Sequence, residues 1–245
     1  MAADPLGTRA RFLAELSRLK SDGDGPASLC EACVRTLPVR RAAIAVHVEE
    51  AGLEVLCASD EVAERVEWAQ ITLGEGPGLD AVRTGGPMLA SDLWFPGGHW
   101  PNFAPAAVEN GVGALYAFPL EVGAIRVGVL DLYRDRPEAL NAKDFAASVA
   151  VAELVTAILL TVGRTGQVDD TLGPWWDQPL STREVHQATG MIVAQLSVTA
   201  HEAFARMQAF AFANSRMLTE VARDVVQRKL RFDSDGEPRE AAQRT

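Results

Sequence analysis

The chain has 245 residues, 48% of them hydrophobic, and a formal net charge of −10, which suits one large or two small domains of ordinary globular composition. It has no run of eighteen apolar residues, no apolar stretch behind its charged N-terminus and only three cysteines, so the expectation is a cytoplasmic protein with no membrane span, secretory signal or disulfide framework. The charge is uneven: residues 175–245 hold 9 basic and 9 acidic side chains, so the whole −10 falls on residues 1–174, and any nucleic-acid contact falls to residues 175–232, where 7 basic and 5 acidic side chains leave a weak +2.

Phe12, Leu13, Leu16 and Leu19 stripe a helix over residues 6–19. The turn Asp22-Gly23-Asp24-Gly25-Pro26 separates it from a second helix over residues 27–37. Residues 42–48 read as a buried strand, with residues 53–58 as its hairpin partner. Leu73-Gly74-Glu75-Gly76-Pro77-Gly78-Leu79-Asp80-Ala81 is a Gly-rich turn opening a short helix, and residues 87–90 form a short strand. A loop rich in Trp, Phe, Pro and Gly runs over residues 91–103, followed by strong strands over residues 113–119 and 125–133. Residues 144–162 form a helix that is apolar nearly all round; its outer face needs a partner, which the first helix or a second subunit would supply, and the expectation is a homodimer. Gly163, Gly166, Gly173, Pro174 and Pro179 punctuate a linker over residues 164–180 that also carries Trp175 and Trp176. Residues 233–245 read as a disordered tail.

Three amphipathic helices close the chain over residues 181–232. Ser181 with Glu184, and Thr199 with Glu202, have the spacing of capping boxes. Val185, Ile192 and Leu196, then Phe204, Met207 and Ala211, then Leu218, Val221, Ala222 and Val225, recur at helical spacing, enough for a small bundle.

Few groups have the spacing that chemistry needs. Cys30 and Cys33 share a helical face, but no second Cys/His pair completes a metal site, and His47, His99, His186 and His201 have no partner at ligand spacing. The Gly-Glu-Gly-Pro-Gly turn lacks the Lys-Ser/Thr of a nucleotide loop and reads as structural. No catalytic constellation, metal site or cofactor is identified, and the expectation is that the chain is not an enzyme. Asp92, Trp94, Trp100 and Phe103 of the aromatic loop are the candidate wall of a small-molecule site, against the plainer reading that the rings roof the sheet.

Two resemblances carry the functional expectation. Gln187-Ala188-Thr189-Gly190-Met191, Glu202-Ala203-Phe204 and Glu220-Val221-Ala222-Arg223-Asp224-Val225-Val226 resemble the ANTAR domain of bacterial transcription antitermination regulators. The family pattern has Ala-Lys-Gly where this chain has Ala188-Thr189-Gly190. Gly74 to Ala81, Asp92-Leu93 with Trp100-Pro101, and Phe118-Pro119-Leu120 with Gly128-Val129-Leu130-Asp131-Leu132-Tyr133 resemble the GAF sensory domain. The resemblances imply an α+β chain: a GAF-like antiparallel sheet flanked by helices over residues 6–163, then an all-α three-helix bundle over residues 181–232. They further imply a signal-responsive regulator that binds hairpin RNA as a dimer, its first domain sensing a small molecule or mediating dimerisation. Arg183, Gln187, Ala188, Thr189, Gly190, Arg206, Arg216 and Arg223 fall on the implied RNA-facing region. The alternative is a protein-interaction or ligand-sensing module that has lost RNA binding, favoured by Thr189 and by the mixed signs along the last helix.

Overall fold

The structure is a computed structural model that describes residues 5–20, 25–48, 52–164, 180–233 and 239–240. Its centre is a five-stranded sheet, wholly antiparallel, in the order β2-β1-β5-β4-β3. The strands are β1 (Arg41–Val48), β2 (Gly52–Ala58), β3 (Met88–Ala90), β4 (Ala114–Val122) and β5 (Ile125–Arg134).

Alternation along each strand splits the sheet into two apolar faces. Ala42, Ile44, Tyr116, Phe118, Leu120, Leu130 and Leu132 point one way. They are covered by α1 (Pro5–Lys20), α2 (Ala27–Thr36) and α6 (Ala142–Arg164). Residues Ala142–Thr161 of α6 are long and apolar enough to cross a membrane by length and composition. In this fold Val151, Ala152 and Val155 of α6 are buried in the core below the sheet. Ala43, Ala45, Val55, Leu115, Ala117, Val129 and Tyr133 point the other way, toward α3 (Glu61–Leu73), α4 (Pro77–Thr84) and α5 (Phe103–Glu109).

The sequence reading names no helix over residues 61–73, yet α3 is the most enclosed helix of the described chain. Eight of its residues are buried: Ala63, Val66, Glu67, Trp68, Ala69, Gln70, Ile71 and Thr72. Its start is set by Asp60, whose carboxylate accepts from the Ala63 N–H at 2.8 Å, with Glu61 and Glu64 in the first turn.

The C-terminal helices are α7 (Leu180–Leu196), α8 (Ala200–Ala213) and α9 (Leu218–Val226). All three expected apolar stripes are present, and Val185, Ile192, Met207, Ala211, Leu218, Val221 and Val225 are buried in the same core as the upper face of the sheet. Thr199 and Glu202 form the expected capping box. Ser181 does not: α7 already begins at Leu180, and Ser181 is turned toward α3. The last helix is shorter than its pattern predicts, ending at Val226. Arg228 adopts φ 59°, which no helix continues through, and Leu230–Arg231 (β6) pairs with Arg239–Glu240 (β7) inside the segment read as a tail. Most of the expected linker, with Trp175 and Trp176, lies outside the described residues.

Candidate functional site

The two halves of the chain meet along α3. Its inner face closes over the sheet and its outer face receives α7, α8 and α9, so one hydrophobic core runs from β4 and β5 through α3 into the C-terminal helices. Polar contacts tie the seam at both ends. The Trp68 Nε1–H donates to the Ser181 hydroxyl at 3.2 Å, and that hydroxyl donates to Glu64. Thr182, 1% exposed, donates to the Val55 carbonyl at 3.0 Å. Val55 lies on β2, an outer strand of the sheet, so α7 satisfies a carbonyl at a sheet edge and covers that edge. Further along α7, His186 meets Glu54 of β2 at 3.0 Å, and the carboxylate raises the imidazole pKa above its ordinary value. At the other end of α3, the Thr72 hydroxyl accepts from the first N–H of α9, that of Leu218, at 3.2 Å. Gln208 of α8 donates to the Ile71 carbonyl.

Beneath α3 lies a buried polar cluster that sequence reasoning missed. Glu67, Gln70, Asp131 and Tyr133 are each 1% exposed or less. Gln70 donates to Asp131 at 2.6 Å and to Glu67 at 3.2 Å, Tyr133 donates to Glu67 at 2.5 Å, and the Gly78 N–H donates to Gln70 at 2.8 Å. Burial raises the pKa of Glu67, and burial beside Glu67 raises that of Asp131 well above the usual carboxylate range. Two adjacent buried carboxyls cannot both ionise cheaply, so the cluster favours the protonated form of one of them. The Gly-rich turn has its physical reason here. A Cβ on Gly76 would lie 2.4 Å from the Gln70 side-chain oxygen, and one on Gly78 would lie 2.5 Å from an Asp131 oxygen. Glu75, just before them, caps α5, accepting from the Phe103 N–H at 2.7 Å. The turn is structural, packed directly on Gln70 and Asp131.

The aromatic loop does not gather its four candidate residues around one space. The Asp92 carboxylate accepts from the N–H groups of Trp94 and Phe95 and so folds its own loop. Trp94 is 52% exposed, Phe103 is fully buried in the core, and the Trp100 indole N–H is held by Asp80 at 2.9 Å. The Phe103 and Trp100 rings are thus held within the fold, while the Trp94 ring is half-exposed. Cys30 adjoins Cys57 rather than Cys33, at 2.7 Å, and burial pushes the Cys30 and Cys33 thiols up, away from the reactive thiolate.

The RNA candidates divide into three groups. Arg183, Gln187, Gly190, Arg206 and Arg223 are exposed. Two of the cations already have carboxylate partners: Arg216 pairs with Asp224 at 2.6 Å and Arg223 with Glu184 at 3.3 Å. Ala188 is fully buried in the core that the C-terminal helices share with the upper face of the sheet. Thr189 is half-buried, its hydroxyl donates to the Val185 carbonyl at 2.8 Å, and it lines a cleft between α7 and β2. The position where the ANTAR pattern carries lysine therefore faces the first domain. Arg228 and Lys229, also exposed, form no ion pair among the described residues.

Residues 179–226 match the model of the ANTAR domain. The GAF domain from Acinetobacter phosphoenolpyruvate-protein phosphotransferase superposes with a TM-score of 0.51 at 13% identity, covering 69% of this chain and 100% of that one. A GAF domain of a phosphoenolpyruvate-protein phosphotransferase from Coxiella burnetii gives a TM-score of 0.49 at 11% identity, covering 65% and 99%. No curated protein matches the chain. Residues 179–226 are thus an ANTAR domain, standing behind and against a domain of GAF fold.

Proposed function

We propose that the chain is a cytoplasmic, signal-responsive regulator that binds hairpin RNA through its ANTAR domain and promotes transcription antitermination, acting as a homodimer rather than as an enzyme. The observation that carries this reading is the ANTAR match over residues 179–226. Arg183, Arg206, Arg228 and Lys229, all exposed, supply cations for phosphate contacts. The GAF-fold domain is the sensor. Its route to the RNA-binding helices is α3, one face of which closes the sheet core while the other carries α7, α8 and α9. A displacement of α3 by a small molecule moves both faces at once, because a packed core transmits a shift rather than absorbing it. With α7 docked, position 189 is half-buried against the first domain, which supports reading the docked arrangement as the resting one.

A second reading, an interaction or ligand-sensing module without RNA binding, has its own support in the ion pairs that occupy Arg216 and Arg223 and in Thr189. A gel shift with a two-hairpin RNA over a salt series separates the two. RNA binding predicts retention at low salt and a loss of slope of about 0.7–0.9 for each phosphate-contacting arginine removed, Arg183 first. No retention at low salt by either the wild type or a variant with the α7 contacts removed would leave only the interaction-module reading.

A further inference from the structure

The cleft beside Thr189 has a volume of about 210 Å³ and lies between β2 and α3 on one side and α7 with the start of α8 on the other. Most of its wall is apolar, from Val48, Leu53, Trp68, Val185, Ala200 and Phe204. One carboxylate stands in that wall, Glu54, and no Lys or Arg lines the cleft. The Glu54 side chain is only 10% exposed, and among the described residues the side chain that hydrogen-bonds it is His186, itself 50% exposed. A neutral imidazole leaves that carboxylate with no counter-charge. A protonated one is drawn to the wall from solvent, which competes for it. A nearly buried carboxylate is costly unless a cation is held against it, so the wall favours a cation that reaches it more completely than His186 does. The volume exceeds the ~150 Å³ that takes up benzene, leaving room for one ring and a short arm.

We propose that this junction cleft is a binding site for a small organic cation, a primary ammonium on an aromatic or branched apolar body, which pairs with Glu54 in place of His186. The site is separate from the space between α3, α4 and the sheet, which Glu67, Gln70, Asp131 and Tyr133 fill. An anion is disfavoured because it would meet the Glu54 carboxylate and the lining holds no Lys or Arg to offset it; the imidazoles in the lining are those of His186, which Glu54 already engages, and His201. Glu54 belongs to the GAF-fold domain and His186 to the ANTAR domain, so the ligand removes one tie across the seam and loosens α7. That consequence for RNA rests on the function proposed above; the binding does not.

Calorimetric titration of the full chain at neutral pH tests the site with three probes of one shape: benzylamine, benzyl alcohol and benzoate. Benzylamine is expected to bind, benzyl alcohol about tenfold or more weaker, and benzoate not at all, since a hydrogen bond to a charged group is worth about one to two powers of ten in affinity. Glu54→Gln keeps the shape of the wall and is expected to weaken benzylamine about tenfold while leaving benzyl alcohol unchanged. His186→Asn, at a half-exposed position, removes the competing imidazole and is expected to strengthen benzylamine. Equal binding of the three probes, no benzylamine heat at millimolar concentration, or unchanged benzylamine binding in Glu54→Gln overturns the site. The RNA gel shift is independent of these heats, so a failure of RNA binding leaves them standing.

Discussion

Thr182→Val isolates the seam between the domains with the smallest change of shape. Valine fills the volume of threonine and lacks the donor, so the Val55 carbonyl loses the hydroxyl that meets it at 3.0 Å. Because Thr182 is 1% exposed, water does not reach that carbonyl while α7 stays docked. Leaving a buried acceptor unpaired costs about 1–3 kcal/mol. The cost has a ceiling: once it exceeds the free energy that keeps α7 on β2, the seam opens and water satisfies the carbonyl instead. Urea unfolding of a chain this size has a slope at or near the top of the usual range, ~3 kcal/mol/M, so the midpoint is expected to fall by about 0.3–1 M. Hydrogen exchange in β2 is expected to rise at the same time, since its edge loses cover. Thr189→Val is the matched control two turns further on, where the hydroxyl meets only its own helix at the Val185 carbonyl, and a much smaller shift is expected there. An unchanged midpoint and unchanged β2 exchange in Thr182→Val would refute the docking of α7 on the sheet edge.

Three further outcomes follow from the same structure. The imidazole of His186 is raised by Glu54, so its contribution is present in full below the ordinary imidazole value of about 6.5 and is lost as pH rises through the higher folded value; the melting temperature is expected to fall over that window, and His186→Asn to flatten the fall. Glu67 and Asp131 are raised as well, the reverse of the usual carboxylate case, so their contribution is full below the ordinary carboxylate range and is lost as pH rises through the raised values; Asp131→Asn, which removes one of the two charges, is expected to reduce the alkaline loss in thermal melts. Gly78→Ala puts a methyl group 2.5 Å from an Asp131 oxygen under a closed turn, and is expected to cost about 1–3 kcal/mol in denaturant unfolding, with no such cost at Gly86, where a Cβ meets nothing within 4 Å.

What was legible in the sequence was whatever a single burial face writes into a period. β1, β4 and β5 read correctly because each alternates or runs apolar between turn residues, and the C-terminal stripes at Val185, Met207 and Val221 read correctly because each helix buries one side. α3 did not, because it is buried on both sides and part of what it buries is polar: Glu67 and Gln70 interrupt any apolar stripe, while Trp68, Ile71 and Thr72 serve the opposite face. The signal that marks it is the cap at Asp60 with Glu61 and Glu64 after it, not its hydrophobic pattern. Ser181 was legible as a hydroxyl at a helix start and was assigned to the wrong partner, because the group that claims it, Trp68, lies 113 residues away. The candidate site divides the same way. Exposed arginines of the ANTAR domain can be read from a helical wheel, whereas the burial of Ala188, the inward turn of Thr189 and the Glu54–His186 contact depend on a neighbour that no local pattern names.

The cover that α7 gives to β2 has a consequence for the undocked form. Lifting the helix leaves bare the strand at one margin of the sheet, with the Val55 carbonyl and the apolar side chains of Leu53 and Trp68 beside it. Such a margin recruits whatever strand or greasy surface comes next, including the same strand of another molecule. Under the function proposed above, the undocked form is therefore the sticky one. Its lifetime as a lone chain is bounded by how soon something else takes the place α7 has vacated, so undocking and self-association are expected to rise together with concentration.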